Sequence, residues 1–127
     1  MSNITVKPSK LTGTVKVPPS KSDVHRAIIC AALSKGVSTV SPVAYSEDIL
    51  ATMDCIKALG ADIKIDGFKL IIDSTNVFAE NTAVMNCRES GSTVRFFIPV
   101  AAAGGDGNCH ADEPAGITQL SRQLSCR

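Results

Sequence analysis

The sequence has no tryptophan, one tyrosine and four phenylalanines, so aromatic side chains cannot build its interior. Isoleucine, valine, leucine and alanine must do so, and 44% hydrophobic against 20% charged residues gives the 127-residue chain enough of them for a core. No apolar run approaches the roughly 20 residues that span a bilayer. Met1 to Lys10 is polar and lacks the apolar stretch of a secretory leader. Charge of one sign is also missing: 13 Lys and Arg stand against 12 Asp and Glu, a formal net of +1. That balance argues against nucleic acid or an anionic membrane as partner, so any positive charge that matters is local. The five cysteines are odd in number and contain no CxxC pair. Without a secretion signal they read as reduced thiols of a cytoplasmic protein, with Cys30 and Cys55 as small core residues on helices. A zinc site built from Cys109, His110 and Cys126 has no supporting spacing, so no metal is expected.

What is present is a run of short periodic segments. Leu11 to Val17 alternates apolar and polar residues, a strand signal ended by Pro18-Pro19. From Ser22, residues Val24, Ala27, Ile28, Ala31 and Ala32 recur at helical steps, with Ser20 or Ser22 as the cap and Gly36 just past the end. Val37 to Val43 reads as a strand. Ser46 caps a second helix with Glu47 and Asp48 in its first turn, Ile49, Leu50, Met53, Ile56 and Leu59 on its buried face, and Gly60 closing it. Ile63 to Ile65, Asp66-Gly67 and Phe68 to Ile72 form a hairpin. The expected order to residue 73 is β-α-β-α-β-β, an α/β (α+β) unit with Ile28, Ile49, Met53, Ile56, Leu59, Ile63 and Ile71 in one core.

Asn76 to Thr82 is a polar connector, Ala83 to Cys87 a further strand, and a third helix runs from about Thr93 to Ala103 with a kink at Pro99. Its Phe96-Phe97-Ile98 run either packs on the first unit or exposes apolar surface; the expectation is exposure and self-association. An internal repeat links two of these helix starts. Ser20-Lys21-Ser22-Asp23-Val24, then Arg26, and Ser90-Gly91-Ser92-Thr93-Val94, then Arg95, both read S-x-S-x-V followed by arginine, allowing one gap. The chain divides into residues 1–82, a first unit; 83–105, the start of a second; and 106–127, a tail without periodicity.

The chemistry concentrates at Pro18 to Arg26. Free backbone N–H groups and the dipole at a helix start attract anions. Ser20 and Ser22 offer hydroxyls, Lys21 a mobile point charge, and Arg26 a planar fork for a carboxylate. The Gly-Lys-Ser/Thr order of a Walker A loop is absent. A capped helix with solvated Lys21 and Arg26 accounts equally well for these residues, as does an eased turn for Gly91. His25 reads as a polar neighbour on the helix surface, and Glu47, Asp48 and Asp54 as dipole-favourable or solvated acids that nothing pairs for acid–base work.

Three stretches carry a resemblance. Pro18-Pro19-Ser20-Lys21-Ser22 with Arg26-Ala27 is similar to the N-terminal signature of the 5-enolpyruvylshikimate-3-phosphate synthases. Ser46-Glu47-Asp48 with Leu59-Gly60-Ala61, and Glu89 to Phe96, resemble that family's next segments, so the likeness covers roughly residues 4 to 103. It implies the enolpyruvyl transferase fold, an inside-out α/β barrel of such units. It also implies transfer of enolpyruvyl from phosphoenolpyruvate to the 5-hydroxyl of shikimate-3-phosphate by addition and elimination of phosphate, with no cofactor. Lys21 would be catalytic and touch both substrates, Ser22 and Arg26 would hold shikimate-3-phosphate, and Gly91 would let phosphoenolpyruvate approach the backbone. The family's next arginine is missing where this chain reads Ala111-Asp112-Glu113-Pro114-Ala115-Gly116. The tail after Gly105 looks unrelated to the family, and the expectation is an N-terminal fragment inactive alone. The alternative from another class is a non-catalytic α/β module that binds small anions or a partner protein.

Overall fold

Each helix starts on a serine whose hydroxyl accepts from the backbone N–H three residues on. Ser20 accepts from Asp23 at 3.4 Å, Ser46 from Ile49 at 3.5 Å and Ser90 from Thr93 at 3.3 Å. These caps open α1 (Lys21–Leu33), α2 (Glu47–Ala58) and α3 (Gly91–Gly104) in a computed structural model that describes residues 4–79, 83–104 and 108–110. The strands are β1 (Val37–Val40), β2 (Asp62–Asp66), β3 (Lys69–Asp73), β4 (Val84–Asn86) and β5 (Asn108–His110). Among the described residues no helix is long and apolar enough to cross a membrane.

Two small sheets result. β1, β3 and β2 form an antiparallel sheet in that order, while β4 and β5 pair in parallel with α3 between them in the chain. The mixed α/β character agrees with the sequence reading, but the first expected strand does not form. Leu11, Val15 and Val17 are 78–90% exposed in a segment without regular structure. Alternation favours a strand only where a neighbouring strand satisfies its backbone, and among the described residues none lies beside it. The observed order to residue 73 is therefore α-β-α-β-β. The tail reading also changes, because Asn108–His110 joins β4.

Local differences have local causes. Strand β1 stops at Val40, ahead of Pro42, which has no N–H to give a ladder, although Val43 is fully buried. The hairpin register pairs Asp66 with Lys69, so its two-residue turn is Gly67-Phe68, with Gly67 at φ 56°. That register sets Ile71 opposite Lys64 and Thr39, and Leu70 and Ile72 take the buried face in its place. Past α1 it is Lys35, not Gly36, that turns left-handed, at φ 51°. Past α2 the expected glycine does the work: Gly60 N–H donates to Lys57 O at 2.9 Å and Ala61 N–H to Ile56 O at 3.0 Å. Helix α3 starts two residues before Thr93 and runs through Pro99, whose side chain is exposed.

One core joins all of this. Ile28 of α1, Ile49 and Ile56 of α2, Leu70 and Ile72 of β3, Met85 of β4 and Phe97 of α3 are fully buried in it. Phe97 thus packs on the first unit, which is the alternative to the exposed helix expected above. Cys55 sits in the same core, 3.7 Å from Cys87 Sγ, whereas Cys30 is exposed. Cys30 lies two positions from Ile28, about 200° round the helix and off the apolar stripe.

Candidate functional site

The repeat seen in the sequence occupies equivalent places in the structure. Ser20 and Ser90 are the residues before α1 and α3, Lys21 and Gly91 are the first helical residues, and Val24 and Val94 are buried at 6% and 5% exposure. Both helices therefore present first-turn N–H groups without helical carbonyl partners, one of them capped by the serine. The repeat holds for the helix starts, and only the second is entered from a strand.

Helix α2 brings the two starts together. Asp48, in the first turn of α2, forms an ion pair with the ammonium of Lys21. Its backbone carbonyl accepts from Thr93 Oγ1, in the first turn of α3, at 3.3 Å, and the Lys21 contact, with smaller help from the Ser90 hydroxyl, holds its carboxyl below the usual range. Asp48 is thus a shared partner of both anion-receptive ends. Ser22 and Arg26 are exposed on α1, and the Arg26 guanidinium meets Asp23 one turn back at 3.4 Å, an i,i+3 pair. The helix starts that hold Lys21 and Gly91 are joined through Asp48 and Thr93, while Arg26 has its charged partner within its own helix.

The acids expected to be solvated are engaged. Besides Asp48, Glu47 and Asp54 both receive Arg88, with Glu47 at 3.0 Å. Arg88, at φ 49°, ties the β4–α3 turn to α2. Its role had no sequence signal, because it depends on a turn that brings positions 47, 54 and 88 together.

The larger surprise is polar and buried. His25 is 1% exposed rather than on the surface, with Nδ1 2.7 Å from Thr52 Oγ1. Thr52 Oγ1 lies 3.0 Å from Thr93 Oγ1, which donates to Ser90 Oγ at 2.8 Å. Thr52, Thr93 and Ser90 are 0%, 0% and 3% exposed, and the phenyl ring of Phe96 stands 6.2 Å from the imidazole of His25. Burial, opposed by the nearby Asp48 charge, holds the His25 pKa below its ordinary value. A signal for these residues did exist: His25 is three positions before Ile28 and Thr52 three after Ile49, so both fall on the apolar stripes.

Among the described residues no group of three or more His, Cys, Asp or Glu could hold a metal ion. The side chains of Cys109, His110 and Cys126, and the Ala111 to Gly116 stretch, lie outside the described residues. A 450 Å³ cavity between α1 and β1, lined in part by Cys30, Ser34, Ser38 and Ser41, carries no charged side chain and includes none of the expected site residues.

Comparison with known proteins fits this arrangement. The sequence profile of the EPSP synthase (3-phosphoshikimate 1-carboxyvinyltransferase) family matches residues 5–112, which takes the likeness past Gly105 and through β5. The 3-phosphoshikimate 1-carboxyvinyltransferase of Clostridium perfringens (strain SM101 / Type A) is 54% identical over 102 residues, 80% of this chain and 24% of the relative. Those of Clostridium beijerinckii and Clostridioides difficile (strain 630) are 47% and 41% identical over 109 and 113 residues, covering 80% and 81% of this chain. The chain spans about a quarter of the length of these relatives. Through residue 112 the match is continuous with the fold and the joined helix starts, and the chain belongs to the EPSP synthase (3-phosphoshikimate 1-carboxyvinyltransferase) family.

Proposed function

We propose that this chain supplies one part of the substrate site of a cytoplasmic 3-phosphoshikimate 1-carboxyvinyltransferase, which joins enolpyruvyl from phosphoenolpyruvate to shikimate-3-phosphate. In this reading residues 1–82 and 83–105 are the first unit and the start of the second unit of the family's inside-out barrel. The tail from 106 begins within that second unit.

The observation that carries the reading is the joining of the α1 and α3 starts through Asp48, between Lys21 and Thr93. Both substrates are phosphate–carboxylate anions, and two helix N-termini with a lysine between them suit such ligands. Lys21 exchanges Asp48 for substrate oxygens and is the catalytic candidate. Ser22 and Arg26 hold shikimate-3-phosphate, and Gly91, without a Cβ, lets phosphoenolpyruvate approach the α3 backbone. Turnover needs donors fixed around the reacting atoms and water excluded, and Lys21 is 56% exposed here, so the 127-residue chain binds weakly and releases no phosphate alone. Any self-association draws on the exposed Leu11, Val15 and Val17, since Phe97 is covered.

Titration of the chain with shikimate-3-phosphate, followed by NMR, tests this. Amide shifts are expected from Lys21 to Arg26, and Arg26→Ala should weaken binding about tenfold to a hundredfold, the loss of one charge-assisted contact. Unchanged shifts around Lys21 at millimolar ligand would refute the assignment.

A further inference from the structure

The buried hydroxyls between the three helices form one chain of hydrogen bonds. Ser90 Oγ accepts from both the N–H and the Oγ1–H of Thr93, at 3.3 and 2.8 Å. Both of its lone pairs are then taken. Thr93 gives its proton to Ser90 at 2.8 Å or to the backbone carbonyl of Asp48 at 3.3 Å, so across the 3.0 Å contact with Thr52 it accepts. Thr52 has one proton for that contact or for the backbone carbonyl of Asp48 at 3.1 Å. Either choice leaves Thr52 an acceptor toward His25, with Nδ1 donating across 2.7 Å; a Thr52 proton given to Nδ1 requires the other tautomer.

The one unpartnered buried side-chain polar atom among the described residues agrees with this direction. His25 Nε2 has no partner. With the proton on Nδ1, Nε2 is a bare lone pair. With the proton on Nε2, the core would instead hold an orphaned N–H, the rarer and costlier defect.

Resting on the functional reading above, we propose that Thr52 and Thr93 are positioning residues: their buried hydroxyls, tied to His25 and Ser90, hold the Asp48 backbone carbonyl in the first turn of α2, and so place the carboxylate that keeps Lys21 at the anion site. The geometry suits that task. Thr52 stands on α2, touches α1 through His25 and α3 through Thr93, and lies one turn after Asp48. A buried, satisfied network of this kind fixes side chains more tightly than apolar contact, because each member has few permitted orientations.

Long-range proton–nitrogen NMR of the 127-residue chain tests the direction without any substitution. His25 should show a protonated Nδ1 and an unprotonated Nε2; a protonated Nε2 overturns the proposal. Thr52→Val, which keeps the shape and removes the hydroxyl, tests the positioning. The Asp48 carboxyl titration, with Lys21 and His25 as the charged groups facing it, should move up toward its ordinary range. Affinity for shikimate-3-phosphate should fall roughly threefold to tenfold, as for one neutral hydrogen bond, and Thr52→Ser should restore both. A Thr52→Val chain that is less stable but keeps the wild-type Asp48 titration would make the network purely structural and overturn the proposal. If the wild-type chain binds no anion at all, the functional reading fails, yet the His25 tautomer and the Asp48 titration still decide the chain of hydrogen bonds.

Discussion

Replacing Phe97 by alanine tests whether α3 belongs to the same cooperative unit as α1 and α2. Phe97 is fully buried, and it shares its core with Ile28, Ile56 and Met85 from three other elements. Truncating a phenylalanine in such a site removes its transfer free energy and leaves a cavity, together about 3–5 kcal/mol. Small domains have only about 5–15 kcal/mol of stability in total. With a urea dependence of about 1–3 kcal/mol per molar, the midpoint should fall by about 2 M, and the variant sits near its unfolding limit at room temperature. Phe68 is the matched control, because it is 76% exposed at the hairpin turn and its truncation should change stability by less than about 0.5 kcal/mol. Urea unfolding of both variants, with hydrogen exchange of the α3 amides, makes the comparison. If Phe97→Ala costs no more than Phe68→Ala, or if α3 exchanges freely while α1 and α2 stay protected, the shared core is wrong and the exposed-helix expectation returns.

His25 sets an acid limb of stability. Its folded pKa is held below the ordinary 6.5, so the unfolded chain binds the extra proton; stability is full above about pH 6.5 and falls as pH drops from there toward the folded value. His25→Asn offers an amide donor in place of Nδ1–H and cannot titrate, so urea unfolding between pH 7.5 and 5 should show a flatter profile; an unchanged slope rules His25 out as the source. The Asp48 pKa is lowered too, but because Lys21 favours its charged form, so its contribution is present above its ordinary 3.8 and is lost below it, a second limb that Asp48→Asn should remove. Gly60→Ala should cost about 2 kcal/mol or more, since φ is +101° and a Cβ would stand 2.6 Å from the backbone oxygen of Asn76. Gly36→Ala, with open space around it, should be near neutral in the same thermal melt, and equal effects would contradict the turn geometry.

Helices were legible in the sequence because their information is local. The Val24, Ile28, Ala31 stripe, the Ser20 and Ser46 caps and the Gly60 stop each lie within one or two turns of what they specify. What was not legible depends on distant chain. Leu11 to Val17 alternates as a strand does, but alternation cannot say whether a partner strand lies beside it. Ile71 and Leu70 are equally apolar, and only the register against Lys64 decides which turns inward. At the site, Lys21 and Gly91 were found as helix-start residues, while their connection through Asp48 needed the packing of α2 between them. His25 and Thr52 were passed over because polar type outweighed position, although both stand on stripes that predict burial.

The same pair explains how the site can be stable when empty and still admit a ligand. An anion arriving at the α1 start meets a lysine already bound to a carboxylate, so binding is an exchange and not a simple gain. The Lys21–Asp48 pair has side chains 56% and 33% exposed, and a pair so open to water contributes about 0–1 kcal/mol. A phosphate ester brings more charge than Asp48 and can also take the N–H groups of the α1 first turn, each charge-assisted contact contributing about 1.5–3 kcal/mol. The exchange therefore favours the ligand while leaving Asp48 without its cation. Asp48 is then held through its backbone carbonyl, within reach of the Thr93 and Thr52 hydroxyls at 3.3 and 3.1 Å. The buried hydroxyls matter most in the bound state, when the ion pair that Asp48 keeps in the empty chain has been given up.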